Sequence, residues 1–156
     1  MKTISVIMIL LFLLTGCSRL KEVKENERTF QMIYEVPGLT KKQIHDKSAE
    51  WMAITFVSSK AVIEINNPES GKIVGNGRTY FTNVVANIPC TYTISIDSKD
   101  GRFRITFDNY IAQWGIHQER RLPLVERAFV DEVNHQFLEM AENLNKYMKE
   151  SKSDNW

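Results

Sequence analysis

Two alternating apolar runs that flank Asp100-Gly101 restrict the fold of this 156-residue chain more than any other feature. The apolar residues recur at every second position on both sides: Tyr92, Ile94 and Ile96 before the dipeptide, and Phe103, Ile105 and Phe107 after it. A period of two is that of a half-buried β-strand, and Asp-Gly between two such strands is typical of a tight hairpin. The sequence therefore predicts an antiparallel hairpin with one apolar and one polar face.

Three further strands are predicted from the same period. The segment from Thr29 to Val36 alternates in this way, and Pro37-Gly38 ends it. The segments from Ala61 to Asn66 and from Lys72 to Phe81 flank turn-forming residues and predict a second hairpin. Because every strand has one polar face, we expect an antiparallel sheet that is covered on one side only.

Two helices are predicted to cover that side. Thr40 to Gln43 has the spacing of a capping box, so a helix is expected from there to about Phe56. A longer helix is expected from Pro123 to about Lys149, because apolar residues recur along it at helical spacing. The order β-α-β-β-β-β-α predicts a two-layer α+β domain over residues 30–149, with a five-stranded antiparallel sheet, both helices on one face, and a frayed polar tail at 150–156.

The amino-terminal segment has the pattern of a secretory signal. Lys2 precedes an apolar run from Ile4 to Leu14, which is shorter than the roughly 20 residues that a membrane-spanning helix needs. Leu14-Thr15-Gly16-Cys17 follows and resembles the bacterial lipobox. This resemblance implies a signal peptide at residues 1–16, cleavage between Gly16 and Cys17, and acylation (palmitate among the acyl groups) of the Cys17 thiol. An ordinary secretory signal followed by a coincidental cysteine is the alternative.

The residues after Cys17 indicate how the domain is attached and where. Residues 18–29 are polar and lack a buried periodicity, so with Cys17 they predict a flexible tether, reaching about 20 Å in root-mean-square length. Ser18 stands where an aspartate, by resemblance to enterobacterial lipoproteins, would retain the chain in the inner membrane. We therefore expect a lipoprotein held in the lipid bilayer of the outer membrane and facing the periplasm.

Composition and charge exclude several classes. With 43% apolar and 10% aromatic residues the chain is not disordered. It has 20 Lys and Arg against 19 Asp and Glu, and residues 1–16 hold one lysine, so the mature chain is neutral and no nucleic-acid partner is expected. Cys90 would be the one remaining thiol; its strand parity predicts a buried, inert side chain, and a nucleophile is the alternative.

Several short motifs carry a family resemblance. They are Val36-Pro37-Gly38, Trp51, Phe56, Ala61-Val62-Ile63, Gly71-Lys72-Ile73-Val74-Gly75-Asn76-Gly77, Tyr92-Thr93-Ile94 and Lys99-Asp100-Gly101-Arg102-Phe103-Arg104. Over residues 30–107 the chain resembles the domain-of-unknown-function family 4468. The resemblance implies a fold like that of the TATA-box-binding protein (TBP) and a small bacterial lipoprotein, often from Bacteroidota. It implies no activity, cofactor or catalytic residue.

No residue pattern predicts a catalytic or metal site. The closely spaced glycines Gly71, Gly75 and Gly77 are not followed by a helix, so a phosphate-binding turn is not expected. They predict instead a bulge or close packing beneath an aromatic ring such as Trp51. The three histidines fall on separate elements: His45, His117 and His135. We therefore expect no metal, no cofactor and no enzymatic activity, with a small hydrolase built from distant residues as the alternative.

The uncovered face of the sheet is the candidate binding surface. Its expected side chains are Lys72, Val74, Asn76, Arg78 and Tyr80 on one strand, and Arg102, Arg104, Thr106 and Asp108 on another. Since Arg and Tyr are enriched where interfaces are anchored, Arg78, Tyr80, Arg102 and Arg104 could meet as one binding surface. An ordinary solvated face is the alternative.

The segment from Asp108 to Leu122 has no clear periodicity and allows two interpretations. It is either a functional loop, in which Trp114 lines a ligand together with Arg120 and Arg121, or an extension of the last strand followed by a turn. The expected function is a non-catalytic binding module for a protein, peptide or envelope polymer. The alternative is a structural or accessory domain that docks through its last helix or a sheet edge.

Overall fold

The computed structural model describes residues 21–56, 62–115 and 117–150. Within them lie β1 (Phe30–Glu35), α1 (Lys41–Thr55), β2 (Val62–Asn67), β3 (Lys72–Thr82), β4 (Asn87–Lys99), β5 (Arg102–Trp114), β6 (Arg120–Pro123) and α2 (Arg127–Lys149). The predicted α+β class is confirmed, with six strands in the sheet instead of five. The predicted signal peptide, Gly16, Cys17 and the tail at 151–156 lie outside the described residues.

The sheet is antiparallel, and its strands follow the order β1-β5-β4-β3-β2. The predicted hairpin forms at its centre, where Lys99 pairs with Arg102 and Gly101 adopts a φ of 74°. β1 pairs with the first half of β5, and β6 pairs with the last four residues of β5. β5 therefore has two partners in succession along the same edge.

The segment from 108 to 122 is a strand extension followed by a turn. β5 continues to Trp114 and β6 begins at Arg120; between them the Gln118 N–H donates to the Gly115 carbonyl at 3.1 Å. Asn109 has a φ of 53° and lies where the β4–β5 register shifts, so it forms a bulge that reverses the side-chain alternation. That reversal is why the sequence shows no continuous period here. The helix predicted from Pro123 begins at Arg127 instead, because Pro123 still pairs with Ile111 in β6.

The start of α1 is fixed by its own cap and by two turns. The predicted capping box is present: the Gln43 N–H donates to Thr40 Oγ1, and the Thr40 N–H donates to Gln43 Oε1. The Lys41 N–H donates to Asp100 Oδ1 at 2.7 Å, and Lys41 Nζ donates to the Glu69 carbonyl at 2.6 Å. These bonds join the helix to the β4–β5 and β2–β3 turns.

The core lies between the helices and one face of the sheet. Phe137 of α2 is fully buried at its centre, and its ring stacks on that of Phe107 with centroids 4.3 Å apart. The rings of Tyr92 and Tyr110 lie 4.6 Å and 5.2 Å from the same ring. No helix within the described ranges is long and apolar enough to cross a membrane.

Residues 21–29 pack on the domain, which differs from the predicted tether. Val23 is only 4% exposed, and its N–H donates to the Val125 carbonyl at 2.7 Å. The Arg127 N–H donates to the Lys21 carbonyl at 3.0 Å, and Glu27 forms a 2.6 Å ion pair with Arg127. Val23 is the only buried residue of this segment. The sequence therefore contains no periodic pattern from which its packing on the domain could be predicted. Residues 21–29 therefore belong to the packed domain together with the residues from 30 onward.

Gly77 lies beneath an aromatic ring, but the ring belongs to Tyr92 and not to Trp51. A Cβ atom at Gly77 would lie 2.5 Å from the Tyr92 hydroxyl oxygen and 2.7 Å from a ring carbon. Trp51 packs elsewhere, where its Nε1 donates to Asn143 of α2. The close approach of β3 to the Tyr92 ring thus requires glycine at residue 77.

We expect Gly77→Ala to lower the free energy of unfolding by about 1–3 kcal/mol, because the added methyl group must displace the buried Tyr92 ring. Urea denaturation measures the change. In a Tyr92→Ala background the same substitution should cost much less, since the ring is absent. An equal cost in both backgrounds would contradict this explanation.

We expect the Cys90 thiol to be unreactive in the folded chain. Cys90 is fully buried, and burial raises its pKa to about 12. With Cys17→Ser as the background, Ellman's reagent at pH 8 should detect no thiol in the folded protein and one in denaturant. Lys99→Cys, which adds an exposed thiol, is the positive control. Labelling of Cys90 at equal rates in both states would refute the prediction.

Candidate functional site

The open face is the side of the sheet that points away from α1 and α2. The predicted parity is correct for β3 and for the start of β5: Arg78, Tyr80, Arg102 and Arg104 are all exposed, and the residues between them are buried. Tyr80 is 51% exposed. Four of the five predicted binding residues therefore share this face.

The strand register divides those four residues between two ends of the face. Arg102 pairs with Lys99 and Arg104 with Asp97, which places both beside the β4–β5 turn. Arg78 pairs with Thr91, six residues farther along β4 and thus about 20 Å away along the strands. Tyr80 lies farther still, opposite Pro89. The structure therefore does not bring the three arginines and Tyr80 together.

Trp114 does not lie on the open face. The bulge at Asn109 turns Tyr110, Ala112 and Trp114 toward the helices, and the Trp114 ring packs edge-on against Phe81 at 5.7 Å. Gln113 is directed to the open face instead, where its Oε1 accepts a 2.9 Å hydrogen bond from Arg78. Trp114 thus belongs to the edge of the core.

A groove lies on the open face at the β4–β5 turn. We call it the corner groove; its lining is Ile33, Asp97, Lys99, Arg102, Phe103 and Arg104. Arg104 donates from Nη2 (2.8 Å) and Nε (3.2 Å) to one oxygen of Asp97. Ile33 is 58% exposed and supplies apolar surface beside these charges. Strand parity could have indicated Ile33 and Asp97, but only the register shows that they meet.

Two cations of the corner groove form no ion pair with any described residue. In the described part of the chain, neither Lys99 nor Arg102 has a carboxylate oxygen within 4.0 Å. Glu35 is opposite Arg102 in the strand register, yet the two form no ion pair at that distance. A guanidinium group with free N–H donors binds carboxylate oxygens in a planar, bidentate geometry. The groove is therefore suited to an anionic group attached to an apolar one.

The middle of the open face carries a chain of polar side chains. Asn76 donates to Glu64 at 2.5 Å, Thr93 donates to Asn76 at 3.1 Å, and Asn109 donates to Thr93 at 3.2 Å. Asp108 lies next to this chain, and its buried Oδ1 has no hydrogen-bond partner among the described residues. Desolvation raises the pKa of Asp108, and the nearby Lys72 lowers it by less. The middle of the open face is therefore poorly suited to bind an anionic ligand.

The histidines and acidic residues do not assemble into a metal site. No group of three or more potential ligands occurs within ranges 21–56, 62–115 and 117–150. His45 is buried in α1, His117 is exposed in the β5–β6 turn, and His135 lies 3.5 Å from Glu139 on the surface of α2. The carboxylate in the corner groove, Asp97, is already held by Arg104.

Two solved structures are similar to this fold. A TBP-like protein from Parabacteroides distasonis aligns with a TM-score of 0.67 at 11% identity, over 82% of this chain and 96% of that one. A DUF4468 family protein from Bacteroides ovatus aligns with a TM-score of 0.58 at 14% identity, over 84% and 88%. At these identities the likeness shows the fold alone. No curated protein matches the sequence.

The family comparison agrees with the resemblance carried by the sequence motifs. A family model described as a domain of unknown function (DUF4468) with TBP-like fold matches residues 30–111. The match covers β1 to β4 and most of β5, and it includes every residue that lines the corner groove. The chain therefore belongs to the DUF4468 family of domains with a TBP-like fold.

Proposed function

We propose that this chain is a lipid-anchored, non-catalytic binding module of the cell envelope, held at the outer membrane and facing the periplasm. Its corner groove binds an acidic segment of an envelope protein or peptide. The observation that carries the proposal is the pair of cations Lys99 and Arg102, which form no ion pair within the described part of the chain, beside the exposed Ile33. The lipobox-like sequence ending at Cys17 supports the anchor.

The arrangement of charges favours a local anionic group over a long anionic chain. Exposed ion pairs contribute little by themselves, so a ligand gains most where a bidentate guanidinium contact lies beside apolar surface. The corner groove combines both in Arg102 and Ile33. A nucleic acid would need cations along its whole backbone, whereas the middle of the face carries Glu64 and Asp108. We therefore propose no nucleic-acid partner.

The groove also lacks the arrangement of an acid–base catalyst. Asp97 is the one carboxylate among the described residues that line the groove, and one of its oxygens already accepts two hydrogen bonds from Arg104. Among the described residues, neither a histidine nor a cysteine lines the groove. We therefore propose binding without chemistry.

An accessory role through a sheet edge is the second candidate. β2 is the last strand of the sheet, and two of its side chains are partly exposed: Ile63 at 36% and Ile65 at 47%. An edge strand with apolar side chains can accept an added strand from a partner. This observation favours the edge over α2 as the surface for such docking, since the apolar stripe of α2 is buried in the core.

We expect Arg102→Ala to weaken binding of a fluorescent Glu-rich peptide about ten-fold, because one charged hydrogen-bonding partner is lost. Fluorescence anisotropy on the acylated full chain in nanodiscs measures the affinity. Arg78→Ala is the matched control: it removes the same side chain from the same face, outside the groove. Binding should also weaken as salt rises.

Three results would contradict the proposal that the corner groove binds an acidic segment. They are equal losses in Arg78→Ala and Arg102→Ala, preferential binding of a Lys-rich peptide, and no binding of either peptide. Loss of binding in Ile65→Asp with full binding in Arg102→Ala would favour the β2 edge instead.

We expect Cys17→Ser to abolish incorporation of labelled palmitate and to release the chain into the soluble fraction of the envelope. The Cys17 sulfur is the atom that would bond to a diacylglyceryl group, which carries the acyl chains, and stable anchoring needs more than one such chain. Fractionation after metabolic labelling measures both effects. Cys90→Ser, which removes the buried thiol, is the control and should still be labelled. Labelling that persists in Cys17→Ser would refute the anchor.

A further inference from the structure

The β3–β4 turn presents the most exposed apolar side chains among the described residues. Val84 is 103% exposed and Val85 is 88% exposed. Asn83 holds the turn in shape, since its Oδ1 accepts from the N–H groups of Val85 (3.0 Å) and Ala86 (2.8 Å). We call residues 83–86 the apolar tip. The side chains of both valines are therefore exposed to solvent at the end of the turn.

The amino-terminal segment enters the domain at the same end as the apolar tip. Lys21 is hydrogen-bonded to Arg127, the first residue of α2. Two residues later Phe129 packs on Phe81 with ring centroids 4.7 Å apart, and Glu132 accepts from the Thr82 N–H at 3.0 Å. Phe81 and Thr82 immediately precede the tip. The first turns of α2 therefore place Lys21 beside the end of β3.

The length of chain before Lys21 limits how far this end can lie from an anchor at Cys17. Four residue steps separate Cys17 from Lys21, and a fully extended chain covers at most about 14 Å in that number of steps. Residues 21–23 cannot lengthen this connection, because the backbone hydrogen bonds of Lys21 and Val23 hold them on the domain. An acyl group on Cys17 would therefore hold the tip end of the domain at the bilayer surface.

We infer that the apolar tip inserts into the interfacial region of a phospholipid bilayer, with Val84 and Val85 as the inserted side chains. The inference rests on the proposed lipid anchor at Cys17. Residues 83–86 hold no charged side chain, and Arg127, which lies at this end, is already paired with Glu27 at 2.6 Å. The contact is therefore apolar, and it does not depend on anionic lipid.

The test uses the acylated full chain with Val84→Cys carrying an NBD fluorophore. The protein is incorporated into vesicles of phosphatidylcholine alone and into vesicles that also contain phosphatidylglycerol, each with and without spin-labelled lipid as quencher. Lys99→Cys, labelled in the same way, is the matched control at the opposite end of the sheet. Cys90 takes no label because it is buried.

We expect the fluorophore at residue 84 to shift its emission to the blue and to be quenched at least two-fold by spin-labelled lipid, equally in both vesicle compositions. The fluorophore at residue 99 should show neither change. Adding Val85→Asp to the Val84→Cys chain should reduce the quenching, while the protein still floats with the vesicles through its acyl anchor.

The possible failures are distinguishable. If the parent chain does not float with vesicles, the proposed anchor fails and this inference fails with it. If it floats but residues 84 and 99 are quenched equally or not at all, the anchor stands and the inserted tip is refuted. A blue shift that grows with protein concentration in detergent, without vesicles, would show that a second copy covers the tip and would also overturn the inference.

Discussion

The stacking of Phe137 on Phe107 is the contact on which the rest of the structure depends. The two rings are nearly parallel, at 7°, and Phe137 also contacts Tyr92, so α2 is fixed over the centre of β4 and β5. The Tyr110 hydroxyl lies 3.0 Å from Asn134 Oδ1 on the same helix. Burial raises the pKa of Tyr92 and of Tyr110, so both remain protonated. With α2 fixed in this way, Arg127 and the segment paired with it reach the end of β3.

The fold was predictable wherever one face of an element is buried and the other is not. The period of two located β1, β3, β4 and the first half of β5, and the capping box located the start of α1 to the residue. The period fails at Asn109, because a left-handed bulge residue reverses the faces without a change in composition. β6 was not predicted because its sequence, Arg-Arg-Leu-Pro, does not alternate between polar and apolar residues. The described residues of β2 are also exposed, but Ile63 and Ile65 alternate with polar residues there, and this strand was predicted.

The sequence predicts on which face of the sheet the candidate site lies, but it does not predict where on that face its residues come together. Parity places Arg78 and Arg102 on one side of the sheet, yet the pairing of β3, β4 and β5 determines that one lies far from the other. Register depends on turns and bulges of several strands together, which a single strand's pattern does not contain. The same limit explains Val23: one buried residue in a polar segment gives no period, although its contact with Val125 brings the ordered domain closer to Cys17.

The corner groove and the apolar tip lie at opposite ends of the longest strands. β4 has 13 residues, so its ends are about 40 Å apart. A flexible tether would let the groove sample many heights and orientations above a membrane, and a partner would lose that freedom on binding. A short connection and an inserted tip would instead hold the groove at a distance set by the sheet. On the proposed arrangement the strands themselves are the spacer, and the groove faces the periplasm away from the bilayer.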